Sequence, residues 1–274
     1  MTHTMTAWLS NTTMNLKLTF RDRQAIFWTY IFPLFFLFLF ATVFSGGKPE
    51  RLPPLMAGLL CISAMSAGFF GLSIGLVTMR ERGILRRYRL TPIKSWMIIS
   101  SELAASYVVL LTTIGLQLAI AAIYYRMKIN GNPAVLLIAV SIGALAFLAI
   151  GFIIASIADN SKSAQVMSNI LFFPLMFLGG AAFPLEFLPP AVRSISRLLP
   201  SRYMVESLRR VIIEGQGLRA IAPALAVLAV TFVIAIFIAA KLFRWESREP
   251  MPLKQKAWAG AVVAVFAFAA LLVK

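Results

Sequence analysis

The side chains that could carry out acid–base or metal chemistry are few in this sequence and lie far apart. There is one histidine, His3, one cysteine, Cys61, and ten acidic residues among 274. A zinc-type site needs several Cys or His ligands close together, and the sequence offers no such cluster. It also has neither a G-x-S-x-G turn nor a G-x-x-x-x-G-K-[ST] phosphate loop, since SGGKP at 45–49 lacks the required spacing. We therefore expect no catalytic, metal or cofactor site on this chain.

One acidic residue, Glu102, lies inside a long apolar run, where carboxylates are typical of ion-coupled carriers. It follows Trp96 closely, so we place it near the membrane surface. There we expect a glutamate that extends to the interface or is paired locally. An ion-coupled secondary transporter stays open as an alternative function.

The densest charge in the sequence is RERGILRRYRLTP at 80–92, with five arginines and one glutamate between two apolar runs. Wound as a helix that ends at Pro92, the stretch has an apolar side and a basic side. The apolar side consists of Ile84, Leu85 and Tyr88, and the basic side of Arg82, Arg86 and Arg89. Two hypotheses follow: the basic side rests on anionic lipid headgroups, or the helix docks in a cleft of a partner protein.

Long apolar runs position these residues. The chain is 60% hydrophobic and 13% charged, whereas soluble domains are about 25% charged, and about 20 apolar residues cross a bilayer core of ~30 Å. We predict an all-α polytopic membrane protein and no nucleic-acid partner, because the basic residues that give the net charge of +16 lie between the apolar runs. Six spans are predicted at 25–45, 55–79, 96–125, 134–158, 166–183 and 220–240, with a weaker seventh at 257–273.

The first 23 residues are patterned although they are polar. Trp8, Thr12, Leu16 and Phe20 recur every four residues, which predicts an amphipathic helix lying on the membrane surface. Lysine and arginine in the short loops are concentrated on the same side as this helix. The distribution favours a cytoplasmic N-terminus and places the 80–92 stretch on the cytoplasmic side.

Three segments resemble one family. The stretch at 80–92 is similar to the R-E-R-G-x-L-[KR]-R-x-[KR]-x-[TS]-P motif of type-2 ABC exporter permeases, in the drug- and lipid-exporting branch. The segment FPLEFLPPAVRSISRLLPSRYMVESLRRVIIEG at 183–215 resembles the second signature of that family, and FRWE at 243–246 resembles its usual ending. The resemblance covers residues 8–246, and the chain continues beyond it into 257–273, for which the family provides no role.

The resemblance implies a division of the chain into three parts. Residues 1–23 would be a connecting helix, 24–246 a six-helix permease domain, and 247–274 a linker with a seventh helix. Within the permease domain, 80–94 would be a cytoplasmic coupling helix and 184–218 an outer re-entrant helical segment between the fifth and sixth spans. Residues of an outer gate in that segment would be Pro184, Pro189, Pro200, Tyr203 and Arg209.

The resemblance also implies partners. A separate ABC ATP-binding subunit would carry ATP and Mg²⁺ and seat the coupling helix, with a lighter contact at the turn 159–165. The coupling contacts would be Arg80, Glu81, Arg82, Ile84, Leu85, Arg86, Arg87, Tyr88 and Arg89. The complex would be an ATP-driven exporter in the plasma membrane of a bacterium or archaeon, and a non-transporting membrane scaffold is a further alternative.

A second permease protomer, identical or paralogous, would complete a path through the lipid bilayer for an amphipathic small molecule or lipid. Small residues at four-residue spacing favour close helix approach, and aromatic residues suit an amphipathic substrate. The path or dimer residues would be Ala67, Phe69, Phe70, Gly71, Gly75, Phe172, Phe173, Met176 and Phe177. The identity of the substrate stays open.

Overall fold

The computed structural model describes residues 2–44, 46, 51–89, 95–183 and 189–243, and all regular structure within these ranges is helical. The helices are α1 Thr2–Arg21, α2 Arg23–Val43, α3 Leu52–Glu81, α4 Ile84–Arg89, α5 Ser95–Ile123, α6 Pro133–Ile157, α7 Ser161–Leu178, α8 Pro190–Ser196, α9 Pro200–Ile212 and α10 Leu218–Leu242. The all-α prediction is confirmed for the described residues.

Five of these helices are long and apolar enough to cross a bilayer: α2, α3, α5, α6 and α10. They correspond to five of the six strong spans predicted from the sequence. The other predicted span, 166–183, falls largely on α7, which has 18 residues and begins with the polar run Ser161 to Ser163. That α7 crosses the membrane stays a prediction. The seventh span at 257–273 lies outside the described residues, as do residues 90–94 of the predicted coupling helix and the gate residue Pro184.

Helix starts are set by side chains that accept from free backbone N–H groups. The Asp22 carboxylate accepts from the N–H groups of Gln24 at 2.9 Å and Ala25 at 3.4 Å, so the chain turns there from α1 into α2. The start of α7 is a capping box: the N–H of Ser163 donates to Asn160 Oδ1 at 2.8 Å, and the N–H of Asn160 donates to Ser163 Oγ at 3.1 Å. This capping box fixes the turn at 159–160.

The basic stretch is divided between two helices. Arg80 and Glu81 form the last turn of α3, and Gly83, with φ of +71°, separates them from α4. Glycine adopts this left-handed conformation without the strain that a Cβ would introduce. The predicted single helix is therefore a helix end followed by a short helix.

The interior is built around α3, the most buried of the five long helices. Two glycines bring α3 and α6 into backbone contact: a Cβ on Gly151 would lie 2.1 Å from the carbonyl oxygen of Gly68. A Cβ on Gly68 would lie 2.4 Å from the carbonyl oxygen of Phe147. Only small residues allow helices to approach this closely.

The N-terminal helix α1 packs against the start of α5 through polar residues. Trp8 Nε1 donates to Ser100 Oγ at 2.9 Å, and Asn11 Nδ2 donates to Ser101 Oγ at 2.7 Å. Asn11 and Asn15 are buried in this contact, while α1 exposes the large apolar residues Met5, Leu9, Met14 and Phe20. The predicted helix is present, and its outward apolar residues suit a membrane surface.

Candidate functional site

Arg80 connects the end of α3 to the end of α6. Its side chain is only 5% exposed; Nη1 donates to the carbonyl oxygen of Ala155 at 2.9 Å, and Nη2 donates to that of Ala158. Carbonyl groups at a helix C-terminus lack partners within the helix and carry partial negative charge, so a guanidinium stabilises them. Arg80 is thus held within this chain, which gives it a positioning role, and its direct contact with a partner stays a prediction.

Glu81 connects the same helix end to the turn before α7. Its carboxylate accepts from the backbone N–H of Ser161 at 3.1 Å and from the Ser161 hydroxyl. Thr78 Oγ1 and Ser161 Oγ are 3.0 Å apart and form a further hydrogen bond. The two segments predicted to contact one partner, 80–89 and 159–165, are therefore adjacent and hydrogen-bonded in the fold.

The short helix α4 has the two sides expected from its sequence, but its apolar side packs on this chain. Leu85 is 1% exposed, and Ile84 and Tyr88 are half-buried. The Tyr88 hydroxyl lies 3.6 Å from Met14 Sδ on α1. Burial raises the pKa of Tyr88, and the nearby charge of Glu102 raises it further.

The outward side of this region is basic. Arg82, Arg86 and Arg87 are exposed, and the side chain of Arg89 lies outside the described residues. Leu85 and Tyr88 make apolar contacts within the chain, because Leu85 belongs to the core and Tyr88 packs against it and reaches Met14 on α1. Arginines are what α4 presents to a partner.

The predicted path residues divide into an interior set and an outward set. Phe70 stacks on Trp28 with ring centroids 4.2 Å apart and contacts Phe172 at 5.2 Å. Phe69 and Met176 are also buried. Phe173 and Phe177 are 49% and 41% exposed, and their rings stack with centroids 6.4 Å apart. A substrate path along aromatic residues stays a prediction. In this conformation, Phe173 and Phe177 are the exposed aromatic residues of the predicted set.

The role of the small-residue face of α3 in the path or at a dimer interface stays a prediction, and within this chain the face makes little close helix contact. A Cβ on Gly75 would meet no atom within 4 Å, and a Cβ on Gly71 would lie 2.9 Å from Thr29 Oγ1. Close helix approach occurs at Gly68 instead. The reason is a π-helical stretch, Ala67–Leu72, whose i→i+5 turns rotate the following residues away from the face that regular four-residue spacing predicts.

Ala67, Gly71 and Gly75 instead border a cavity of about 350 Å³ between α1, α2, α3, α4 and α5. Three buried polar residues, Asn15, Thr29 and Glu102, are among its lining residues. Glu102 has no hydrogen bond or ion pair within the described part of the chain. The expected local partner of Glu102 is therefore not found among the described residues, and its reach to the membrane interface stays a prediction.

Asn15 and Thr29 were missing from the predicted site residues. A polar residue in an amphipathic helix usually faces solvent, so the sequence pattern does not predict that Asn15 is buried. The available signal is that Asn11 and Asn15 are four residues apart and therefore share one face of α1. Thr29 lies in a second π-helical stretch, Phe27–Ile31, which residue types alone do not indicate.

The outer segment is broken into short helices, as its prolines predict. Pro190 and Pro200 begin α8 and α9, where a missing N–H is not costly. The Tyr203 hydroxyl donates to the carbonyl oxygen of Arg197 at 2.8 Å and ties α9 to the preceding turn. Pro189 and Arg209 are exposed. Re-entry into the membrane and a gating role stay predictions.

In the described residues, no group of three or more His, Cys, Asp or Glu side chains lies close enough together to hold a metal ion. The polar groups of the region instead join helix ends and line the cavity.

Residues 6–213 match the sequence profile of the family described as ABC-2 type transporter. The chain is 25% identical over 190 residues to the transport permease YvfS of Bacillus subtilis (strain 168), covering 68% of this chain and 77% of that one. It is 26% identical over 156 residues to YbhS of Escherichia coli (strain K12), named as a multidrug ABC transporter permease, covering 57% and 40%. Nodulation protein J of Rhizobium leguminosarum bv. trifolii is 24% identical over 192 residues, covering 69% and 72%.

The matched region spans less than half of YbhS. The match to such a longer relative therefore does not assign its activity to this chain. The profile nonetheless covers most of the chain, including four of the five long apolar helices, and the relatives named are permeases or a nodulation protein. The chain belongs to the ABC-2 type transporter family and is a multi-pass transmembrane permease subunit.

Proposed function

We propose that this chain is the transmembrane subunit of an ATP-driven exporter. It forms the substrate path in a dimer with a second permease protomer, and a separate ATP-binding subunit holds ATP and Mg²⁺. The complex lies in the plasma membrane of a bacterium or archaeon, with the N-terminus of this chain in the cytoplasm. Its substrate is an amphipathic small molecule or a lipid.

The observation that carries this proposal is the joined surface formed by the end of α3, the helix α4 and the turn before α7. Glu81 bonds to Ser161 across this surface, and the exposed arginines Arg82, Arg86 and Arg87 lie beside the joint. A partner seated there would touch both segments at once. The basic side favours an acidic cleft on that partner.

Displacement of this surface has three routes to other helices of the chain. Arg80 passes it to α6 through Ala155 and Ala158, and Glu81 passes it to α7 through Ser161. Tyr88 contacts Met14 and connects α4 with α1. Closure of the ATP-binding subunits would then shift several helices as rigid bodies and alternate the opening of the path.

Co-purification from native membranes tests the proposal. The variant Arg86→Glu with Arg87→Glu reverses the charge of α4 while leaving its packed side intact. We expect an ATP-binding subunit to co-purify with the wild type and to fall at least about tenfold in the variant, since like-charge contacts cost several kcal/mol. Arg197→Glu with Arg219→Glu is the matched control, because both residues are exposed and lie far along the chain. Equal recovery from the wild type and both variants, or absence of any ATP-binding subunit, contradicts the proposal.

An ion-coupled secondary transporter is the second candidate, and the buried Glu102, which has no partner among the described residues, favours it. This function predicts that the chain alone dissipates a proton gradient in proteoliposomes and that Glu102→Gln abolishes the flux. A non-transporting scaffold predicts neither this flux nor a substrate effect on a co-purified ATPase.

A further inference from the structure

The cavity beneath α1 has a polar interior that nothing in the proposed export cycle uses. Its volume is about 350 Å³, within the range of roughly 300–1,000 Å³ that is typical of small-molecule sites. Both π-helical stretches of the chain's described part, Phe27–Ile31 and Ala67–Leu72, contribute lining residues. Such irregular turns are frequent at functional sites.

Two acceptor groups of the lining lack partners. Glu102 is 7% exposed and has no hydrogen bond or ion pair to the described residues. Asn15 is 3% exposed, and its Oδ1 accepts no hydrogen bond within the same part of the chain. A buried carboxylate without a counter-charge is costly, so the pair favours a ligand group that is positively charged and donates several hydrogen bonds.

The charge reverses toward the exposed part of the lining. Arg21, Arg23 and Arg82 line the cavity and are exposed. None of them forms an ion pair with Glu102 within the described structure. Exposed guanidinium groups suit a phosphate, which they bind through two hydrogen bonds. Asp22, which caps the start of α2, also lines the cavity and is half-exposed. The cavity therefore has an acidic interior and a mainly basic exposed part.

We propose that this cavity binds the zwitterionic head of an aminophosphate amphiphile, with a primary ammonium at Glu102 and Asn15 and the adjacent phosphate at the exposed arginines. The order of charges matches a phosphoethanolamine headgroup, whose ammonium is terminal and whose phosphate is next to the lipid tails. Apolar residues of α1 face outward beside the cavity, which places lipid tails within reach of its exposed part. The site depends on the membrane location of the chain and not on export.

Occupancy of this cavity would contact the coupling region directly. Arg82 and Ile84, at the start of α4, are lining residues, as are Thr78 and Met79 at the end of α3. A bound headgroup would hold α1 and α4 at a fixed separation. The site is therefore placed to make the coupling surface sensitive to the lipid composition of the membrane.

Native mass spectrometry of the full-length chain, purified with its native partners, tests the site. The probes are phosphatidylethanolamine and phosphatidylcholine with identical acyl chains, which share the phosphate and differ in whether the nitrogen can donate hydrogen bonds. We expect the wild type to bind phosphatidylethanolamine at least about tenfold more tightly, a difference of about 1.4 kcal/mol. Glu102→Gln should reduce this preference to about twofold or less, because a neutral amide oxygen replaces the charge-assisted hydrogen bond that only the ethanolamine ammonium can donate to the carboxylate.

Matched variants separate the site from general effects on the fold. Glu214→Gln removes the same charge from an exposed position of the described structure and should retain the preference. Gly75→Leu places a side chain into open space on the cavity wall and should abolish binding of both lipids, while Gly115→Leu, which also meets no atom within 4 Å, should not. Arg82→Gln should weaken both lipids equally, because both carry the phosphate.

Free phosphoethanolamine distinguishes the source of the headgroup. Displacement of the lipid adduct by this soluble compound at equal concentration assigns the site to a soluble aminophosphate, and persistence of the adduct assigns it to a membrane lipid. Equal affinity of the wild type for the two lipids overturns the proposal, as does an unchanged preference in Glu102→Gln or in Gly75→Leu. Neither result depends on whether an ATP-binding subunit co-purifies, so the test is independent of the export function.

Discussion

At the scale of single residues, Arg80 joins the end of α3 to the end of α6 at the proposed coupling surface. It is buried and donates to two carbonyl groups at the end of α6. Hydrogen bonds from charged groups are worth about 1.5–3 kcal/mol each, so loss of both bonds in Arg80→Ala should lower the free energy of unfolding by about 3–6 kcal/mol. Denaturant titration of the purified protein measures this loss, with Arg82→Ala as the exposed control two residues away. Similar stability of the two variants would contradict the positioning role of Arg80.

Gly151 provides a second residue-scale prediction, because its Cα lies against the backbone of α3. A methyl group there would be 2.1 Å from the carbonyl oxygen of Gly68, so Gly151→Ala should cost about 1–3 kcal/mol through overpacking. At Gly115 a Cβ meets no atom within 4 Å, and the same substitution there should be neutral or slightly stabilising. Thermal unfolding in detergent compares the two variants, and an unaffected Gly151→Ala protein would refute the close helix approach.

Some residue properties were predictable from the sequence and others were not. The sequence places Glu102 near one end of a span because apolar runs define depth. Its lack of a partner could not be predicted, since pairing depends on residues that are distant in sequence, such as Asn15 and Arg82. Gly68 was likewise missed, because four-residue spacing pointed to Gly71 and Gly75 and the π-helical stretch rotates that face.

At the scale of elements, the joint between α3 and α7 rests on the contact of Glu81 with Ser161. A double-mutant cycle with Glu81→Gln and Ser161→Ala isolates this contact. We expect a coupling energy of about 0.5–1 kcal/mol, because the pair is exposed and partly hydrated. Unfolding free energies of the four proteins give the value, and strictly additive single effects would show that the two segments act independently.

The helices themselves were largely predictable, and their junctions were not. Long apolar runs set the bounds of α2, α3, α5, α6 and α10 to within a few residues. The division of the basic stretch at Gly83 depends on one left-handed backbone conformation, which the sequence permits but does not require. In most amphipathic helices the apolar side packs on the protein. In α1 the polar residues pack on α5, and large apolar residues of α1 face outward.

At the scale of the whole molecule, the distribution of lysine and arginine predicts a cytoplasmic N-terminus. The native Cys61 is fully buried and should react little with maleimide. Lys162→Cys lies in the first turn of α7, and Lys128→Cys lies in the loop before α6; both positions are exposed. A membrane-impermeant maleimide applied to intact cells should label position 128 and should reach position 162 only after permeabilisation. The reverse pattern would invert the topology and remove the coupling surface from the cytoplasm.

Site-directed photo-crosslinking in native membranes tests the central claim, that this permease is driven through its basic cytoplasmic surface by a separate ATP-binding subunit. A photoreactive amino acid replaces Arg87 on α4 or, as the control, Arg219 in the first turn of α10, both exposed. The captured partner is identified by mass spectrometry. The account predicts an ATP-binding subunit crosslinked at position 87 and not at position 219. Capture of no ATP-binding subunit at position 87, or its capture at position 219 alone, would contradict it.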